Sequence, residues 1–213
     1  MAQFRAFPFF IKSAAIKYFN KHCNRSEVKN LWNKTFQLYK SFVDEAPDIG
    51  GKENNMSNNL YMALAIFAFY EAVDKKVTCE ELRQMMTEYM PKNIPVISAL
   101  LDFNKPKNQE KLKRRYEKYK ALSDKKLDNG EWGNSWRVEM LPDNKKGVAF
   151  NLVGCPLADF AKKHGYLEIM SVLCDFDYIT ASLMHARLIR KHTVADGSQY
   201  CDYLYIGDKE SEE

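Results

Sequence analysis

The chain has 213 residues, 46% of them apolar and 28% charged, which excludes a fibrous repeat or a disordered chain and lets folding bury roughly 70% of the extended surface. Its 32 basic and 28 acidic residues interleave to a formal net charge of +4, too balanced to define a nucleic-acid surface. Five cysteines, at positions 23, 79, 155, 174 and 201, are an odd number with no Cys-x-x-Cys spacing, so reduced thiols in a cytoplasm are expected rather than a disulfide frame.

At the N-terminus, Pro8 and Lys12 interrupt the apolar residues well short of a signal-peptide core. Ser26 and Glu27 open a pattern through Val28, Leu31, Trp32, Phe36, Leu38, Tyr39 and Phe42. Its spacing of mostly three or four residues predicts an amphipathic helix that ends before Pro47. Asp48 to Asn55 reads as a loop leading into an apolar helix near Ser57 to Val73. The run within it, Leu60 to Val73, is shorter than a bilayer span, so a buried helix and no membrane segment are expected. Thr78 and Glu81 form a capping box for a helix reaching Met90 before Pro91. Pro91, Pro95 and Pro106 punctuate a weaker region holding the apolar run Val96 to Phe103.

Lys107 to Leu122 then predicts a strongly basic helix in which Leu112, Tyr116, Tyr119 and Leu122 make a buried stripe and the cations cover the wet side. A polar, glycine-containing stretch from Ser123 to Gly133 marks a boundary. Beyond it the period changes to two. Trp136, Val138 and Met140 alternate with polar residues, a turn follows at Pro142 to Gly147, and Val148 to Val153 returns as the partner of a hairpin. Gly154-Cys155-Pro156 starts a helix that Gly165 ends. A short helix over Tyr166 to Leu173 leads to Cys174-Asp175-Phe176-Asp177 and a helical or irregular segment towards Met184. Ala186 to Val194 and Tyr200 to Ile206 read as a second hairpin turning at Gly197. The expectation is an α+β protein: a helical region over residues 1–122, an α+β unit with the cysteines over 134–207, and an acidic tail at 208–213. The helical half packs on a small antiparallel sheet with short helices.

Chemistry concentrates in the second half. Cys155, at a helix N-cap, is expected to have its thiol pKa lowered by free amides and the helix dipole. Cys174 and Asp177 lie just past the short helix, and Cys201 and Asp202 lie in the last strand with side chains on opposite faces. With a histidine, these thiols and acids could line one pocket able to attack or hydrate a polarised carbon; buried cysteines as small hydrophobes are the competing explanation. His185 and His192 flank the third strand and suit proton transfer, whereas His164 suits a helix C-terminus. Arg187 or Arg190 could meet a carboxylate. Gly50 and Gly51, with Asn54 and Asn55, could hold an anion through amides, although an interhelix loop accounts for the same residues. The spacings between Cys155, Cys174 and Cys201 match no compact zinc signature; the sequence requires no cofactor and leaves a divalent metal open.

Pro47-Asp48-Ile49-Gly50-Gly51 with Asn54 or Asn55, Cys155, Cys174-Asp175-Phe176-Asp177, and Thr193-Val194-Ala195-Asp196-Gly197 closing on Cys201-Asp202-Tyr203 together resemble the L-2-amino-thiazoline-4-carboxylic acid hydrolase family, from about Ser26 to Tyr205. The resemblance implies a hydrolase that opens a cyclic amidine C–N bond, taking a thiazoline ring towards a carbamoyl-cysteine and so towards cysteine. It implies catalytic roles for Cys174, Asp177, Cys201 and Asp202, with Cys155 and His185 beside them. Asp177 would transfer the proton, and Gly50, Gly51, Asn54, Asn55 and Arg187 would hold the substrate. The same cysteine-containing pattern also resembles small-molecule-binding domains of the vinyl-reductase type, which implies a sensor without turnover. On either reading the partner is a small molecule, neither nucleic acid nor membrane, and the oligomeric state is open.

Overall fold

A computed structural model describes residues 6–93, 101–142 and 147–210, with the backbone alone for 89–93. The expected segment at 96–100, the turn positions 143–146 and the last three residues of the tail lie outside the described residues. The architecture is α+β: helices in the first half, and a four-stranded antiparallel sheet with further helices in the second.

α1 (Phe9–His22) has no counterpart in the sequence reading, yet Ile11, Ala14, Ala15 and Phe19 give it a buried stripe at helical spacing. α2 (Arg25–Glu45) starts at Asn24 rather than Ser26, because the Asn24 side chain accepts from the amides of Ser26 and Glu27 while Glu27 reaches back to the Asn24 amide. α3 (Ser57–Ala72) is the central helix. Leu60, Leu64, Ile66, Phe67 and Phe69 on it are all but inaccessible, each contributing about 1.5–3 kcal/mol of burial. α4 (Cys79–Asn93) keeps the Thr78–Glu81 capping box and runs past Pro91.

α5 (Pro106–Asp128) is longer than expected. The stretch from Ser123 is helical to Asp128, held by Arg137, which pairs with Asp124 and Asp128. β1 (Arg137–Met140) and β2 (Gly147–Val153) form the expected hairpin. α6 (Pro156–His164) ends at Gly165 as read. α7 (Met170–Leu183) carries the largest revision, since Cys174 and Asp177 sit inside it rather than beyond a helix end. β3 (Ala186–Ile189) stops earlier than the expected Val194, and β4 (Tyr200–Gly207) follows a turn at Gly197, whose φ is +92°.

The sheet order is β1-β2-β4-β3, so β4 joins the two hairpins. Its register aligns Val138, Leu152 and Cys201 on one rung and Leu188, Tyr205 and Val148 on another. Those residues are buried and face the helices, whereas the alternate positions Asn151, Asp202 and Leu204 are only half-buried. Phe150 and Tyr203 stack across the ladder at 5.0 Å. One hydrophobic core runs from α1 to β4.

Candidate active site

Cys174 and Asp177 are three residues apart on α7 and therefore share one face of it. α7 packs on β3. Arg190 follows β3 with the same parity as buried Ala186 and Leu188, which turns it inward, and Tyr203 points inward from β4. The Asp177 carboxylate accepts from Arg190 Nη1 at 2.7 Å and from the Tyr203 hydroxyl at 2.8 Å. Arg190 Nη2 donates to the Cys174 carbonyl at 2.9 Å, and the guanidinium lies over the rings of Tyr178 and Tyr203 at 4.8 and 5.4 Å. Only 3% of the arginine side chain is exposed, against 38% for Asp177.

Two opposing effects act on Asp177. Burial pushes its carboxyl up, and the counter-pull of Arg190 and the Tyr203 hydrogen bond does not cancel that rise. The side chain keeps some accessible surface, but the protein packed around it removes most of the bulk solvent that would stabilise the charge. For Arg190, burial works to lower the pKa while Tyr203 and Asp177 raise it, and the net direction is up. The pair is thus a fixed cation beside a carboxyl that protonates more readily than an ordinary aspartate. Tyr203 is held well above its usual range by burial and by Asp177, so it remains a donor.

Of the three thiols in the second half, Cys174 is close enough to feel Cys155, Cys201 and Asp177, and Cys201 to feel Asp177. Cys155 stands at the N-cap of α6 as expected, but the expected lowering of its pKa is overturned. Burial pushes the thiol up to about 11, and the amides of Ala158 and Leu157 recover only part of that. Burial likewise pushes Cys174 up to about 12 against the pull of Arg190. Cys201 is raised by burial despite accepting from the Val194 amide at 3.2 Å. A thiol at about 11 is ionised in about one molecule in 10,000 at pH 7. These groups are therefore weak donors before they are nucleophiles. Beside Cys174 and Arg190 a recess of about 170 Å³ is walled by Tyr178, Lys191 and Thr193 and by the acids Asp175 and Asp196.

The other sequence candidates lie elsewhere. Asp202 points to the opposite face of β4 from Cys201, where its carboxylate accepts from the Lys191 amide at 3.0 Å and approaches His192 Nδ1 at 3.6 Å. It thereby closes the chain after β3. His185 sits at the far end of β3 from Arg190, with φ +53° and its Nδ1 3.4 Å from Asp208. Arg187 has the outward parity and donates to the Glu210 carbonyl. Asn54 is buried, and its amide is consumed within the loop: it donates to the Ile49 carbonyl at 2.8 Å and to Ser135 Oγ at 3.3 Å, and accepts from the Met56 amide at 2.9 Å. Gly50 is left-handed and covered by Trp132; Gly51 opens the 3-10 turn Gly51–Glu53. Asn55 faces a separate groove along α5. Among the described residues, Asn54 meets Ile49, Met56 and Ser135, and Gly50 meets Trp132, away from the Asp177 cluster. Sequence reasoning assigned no role to Tyr203 and named Arg190 only as an alternative to Arg187; counting parity from Ala186 would have separated the two arginines.

Among the described residues, no group of three or more His, Cys, Asp and Glu side chains is arranged to hold a metal ion, so the three thiols do not form a ligand set. No described helix is long and apolar enough to cross a membrane. The model of the L-2-amino-thiazoline-4-carboxylic acid hydrolase family matches residues 58–205. That span includes Cys155, α7, Arg190 and Tyr203. The chain belongs to this family. Neither a curated protein nor a solved structure matches it.

Proposed function

We propose that the protein hydrolyses the ring of a small cyclic amidine bearing a carboxylate, an amino-thiazoline carboxylic acid or a near relative, with Asp177 as the proton-transfer group. The observation that carries this reading is the raised Asp177 carboxyl held between Arg190 and the Tyr203 hydroxyl. Catalytic acid–base groups work best when their pKa moves towards the operating pH, as burial does here. In the proposed reaction, water adds to the ring carbon between nitrogen and sulfur, and Asp177 takes the proton that water loses. The tetrahedral adduct then expels the ring nitrogen, which receives that proton as the C–N bond breaks and the adduct's hydroxyl closes to a carbonyl; the hydroxyl proton follows to the same nitrogen through Asp177, so both hydrogens of the water end on the free amine. One water is consumed, and an S-carbamoyl cysteine with a free amine is the product. Expulsion of sulfur instead gives an N-carbamoyl product with a free thiol, so paired amine and thiol assays identify the bond cleaved.

Arg190 is a positioning residue in this scheme: it orients Asp177 and limits the rise of its pKa. Cys174 lines the recess as a protonated thiol, and Cys155 and Cys201 stay protonated. The free cysteines suit a reducing compartment such as the cytoplasm. One observation favours a second reading: all three thiols are pushed up rather than activated, which suits a ligand sensor of the vinyl-reductase type.

The test is turnover of L-2-amino-thiazoline-4-carboxylate by the purified protein. Loss of general acid–base catalysis predicts that Asp177→Asn lowers kcat by about 10²–10⁴. A ligand that raises the melting temperature without product would select the sensor. Absence of both turnover and stabilisation would overturn the proposal.

A further inference from the structure

The basic helix has a feature that the Asp177 site does not use. Along α5 lies a recess of about 720 Å³, within the size range of small-molecule sites. Phe103, Leu112, Tyr119, Leu122 and Met184 supply apolar surface, and neither Asp177, Arg190 nor any cysteine lines it. The sequence reading gives this helix a buried stripe and a solvated basic face. The stripe holds, with Tyr119 buried and Leu112, Tyr116 and Leu122 packed against the core. The cations are exposed as expected, and Lys107, Lys111, Arg114, Arg115 and Lys118 also border the recess.

Their pairing is selective. On other faces of α5, Lys120 pairs with Asp124 and Lys126 with Glu131 and Glu53. At the recess Arg114 pairs with Glu110, but Lys107, Lys111, Arg115 and Lys118 have no ion pair among the described residues. Lys107, Lys111 and Arg115 follow one another at i,i+4, a spacing at which like charges repel. They also begin at the helix N-terminus, whose first turn has no acidic residue and whose dipole already favours an anion. Residues 94–100, next in sequence to the recess-lining Leu101, contain no acidic side chain that could supply the missing charge. Unpaired cations beside apolar surface match a ligand that is apolar in its body and more than singly negative at one end. A phosphate monoester carries about −1.5 to −2 at neutral pH and answers several cations at once.

We propose that this recess binds an apolar chain bearing a phosphate group, with the chain on Phe103, Leu112 and Leu122 and the phosphate among Lys111, Arg115 and Lys118. The full-length protein is titrated calorimetrically with decyl phosphate below its micelle concentration, with decanol, and with inorganic phosphate. Decyl phosphate should bind at least tenfold more tightly than either control, and its affinity should fall between about 50 and 200 mM salt. The double variant Lys111→Gln, Arg115→Gln changes exposed side chains, so it is expected to fold; loss of two charge contacts predicts a weakening of about tenfold. Equal binding of decanol would mean that the cations are idle, and equal binding of inorganic phosphate would mean that the apolar surface is. Either result overturns the proposal, as does failure of decyl phosphate to bind or an unchanged affinity in a double variant shown by circular dichroism to be folded.

Discussion

Replacing Arg190 by methionine removes the cation while keeping much of its apolar volume. The change deletes the 2.7 Å pair with Asp177, the 2.9 Å hydrogen bond to the Cys174 carbonyl and two ring contacts. Breaking a fully buried pair typically costs about 3–5 kcal/mol, but Asp177 is 38% exposed, so its share must be discounted to about 1–2 kcal/mol. The charged hydrogen bond to a carbonyl adds about 1.5 kcal/mol and the ring contacts about 1 kcal/mol. Arg190→Met should therefore destabilise by about 3.5–4.5 kcal/mol near pH 8 in urea unfolding with an unchanged slope. Without the arginine, the folded-state pKa of Asp177 rises further above its unfolded value. A raised carboxyl contributes stability that is present at low pH and lost as pH climbs through the folded value, so the variant's deficit should shrink as pH falls from 8 to 5. Adding Asp177→Asn to the variant should restore about 1–2 kcal/mol at pH 8, because no carboxylate is then left unpaired. A deficit under 1 kcal/mol, or one equal at both pH values and untouched by the second substitution, would refute the reasoning.

Gly50→Ala should destabilise by about 2–4 kcal/mol in thermal unfolding, because φ there is +93° and an added Cβ would stand 2.1 Å from the Trp132 indole nitrogen; a melting temperature like that of the parent would show that the loop yields freely. Iodoacetamide should modify Cys155 and Cys174 very slowly at pH 7.5 and much faster as pH approaches the values of about 11 and 12 to which burial pushes them. Peptide mass spectrometry that finds either thiol alkylated rapidly at neutral pH would restore the activated-thiolate reading.

The fold was legible wherever one periodicity persisted. The stripe of α2, the apolar run of α3, the alternation of β1 and β2 and the turn glycines Gly165 and Gly197 all stand where the spacing put them. Boundaries failed where a tertiary partner decided them. α5 continues through a polar stretch because Arg137 on β1 meets Asp124 and Asp128, and β3 ends early because the Asp202 carboxylate takes the Lys191 and His192 amides. α1 goes unread because the N-terminus up to Lys12 is compared only with a signal peptide, while the stripe of Ile11, Ala15 and Phe19 runs on beyond it. At the site, linear order brought out the thiols and Asp177, yet local rules misjudged Cys155: an N-cap position argues for a thiolate, and burial outweighs it. Desolvation depends on what packs around a group, which no spacing reports.

Because the thiols stay protonated, Arg190 and Asp177 set the charge of the cluster, and this fixes a pH dependence for the proposed hydrolysis. With Asp177 protonated, Arg190 is left unbalanced beside Lys191, while Asp175 on the same wall is paired with Arg83 and Asp196 accepts from Thr193; a substrate carboxylate is received well, but the acid cannot accept a proton from water. With Asp177 ionised the base is available, while the attraction for an anion is largely neutralised by the carboxylate. The acid limb of kcat should therefore report Asp177 and lie above the 3.8 of an ordinary aspartate, and KM should rise with pH through the same window. Asp177→Glu should retain activity with a displaced acid limb, whereas Asp177→Asn should abolish both dependences together. If the acid limb survives in Asp177→Asn, another group moves the proton; if it lies at or below 3.8, burial does not govern the carboxyl and the assignment of Asp177 fails with it.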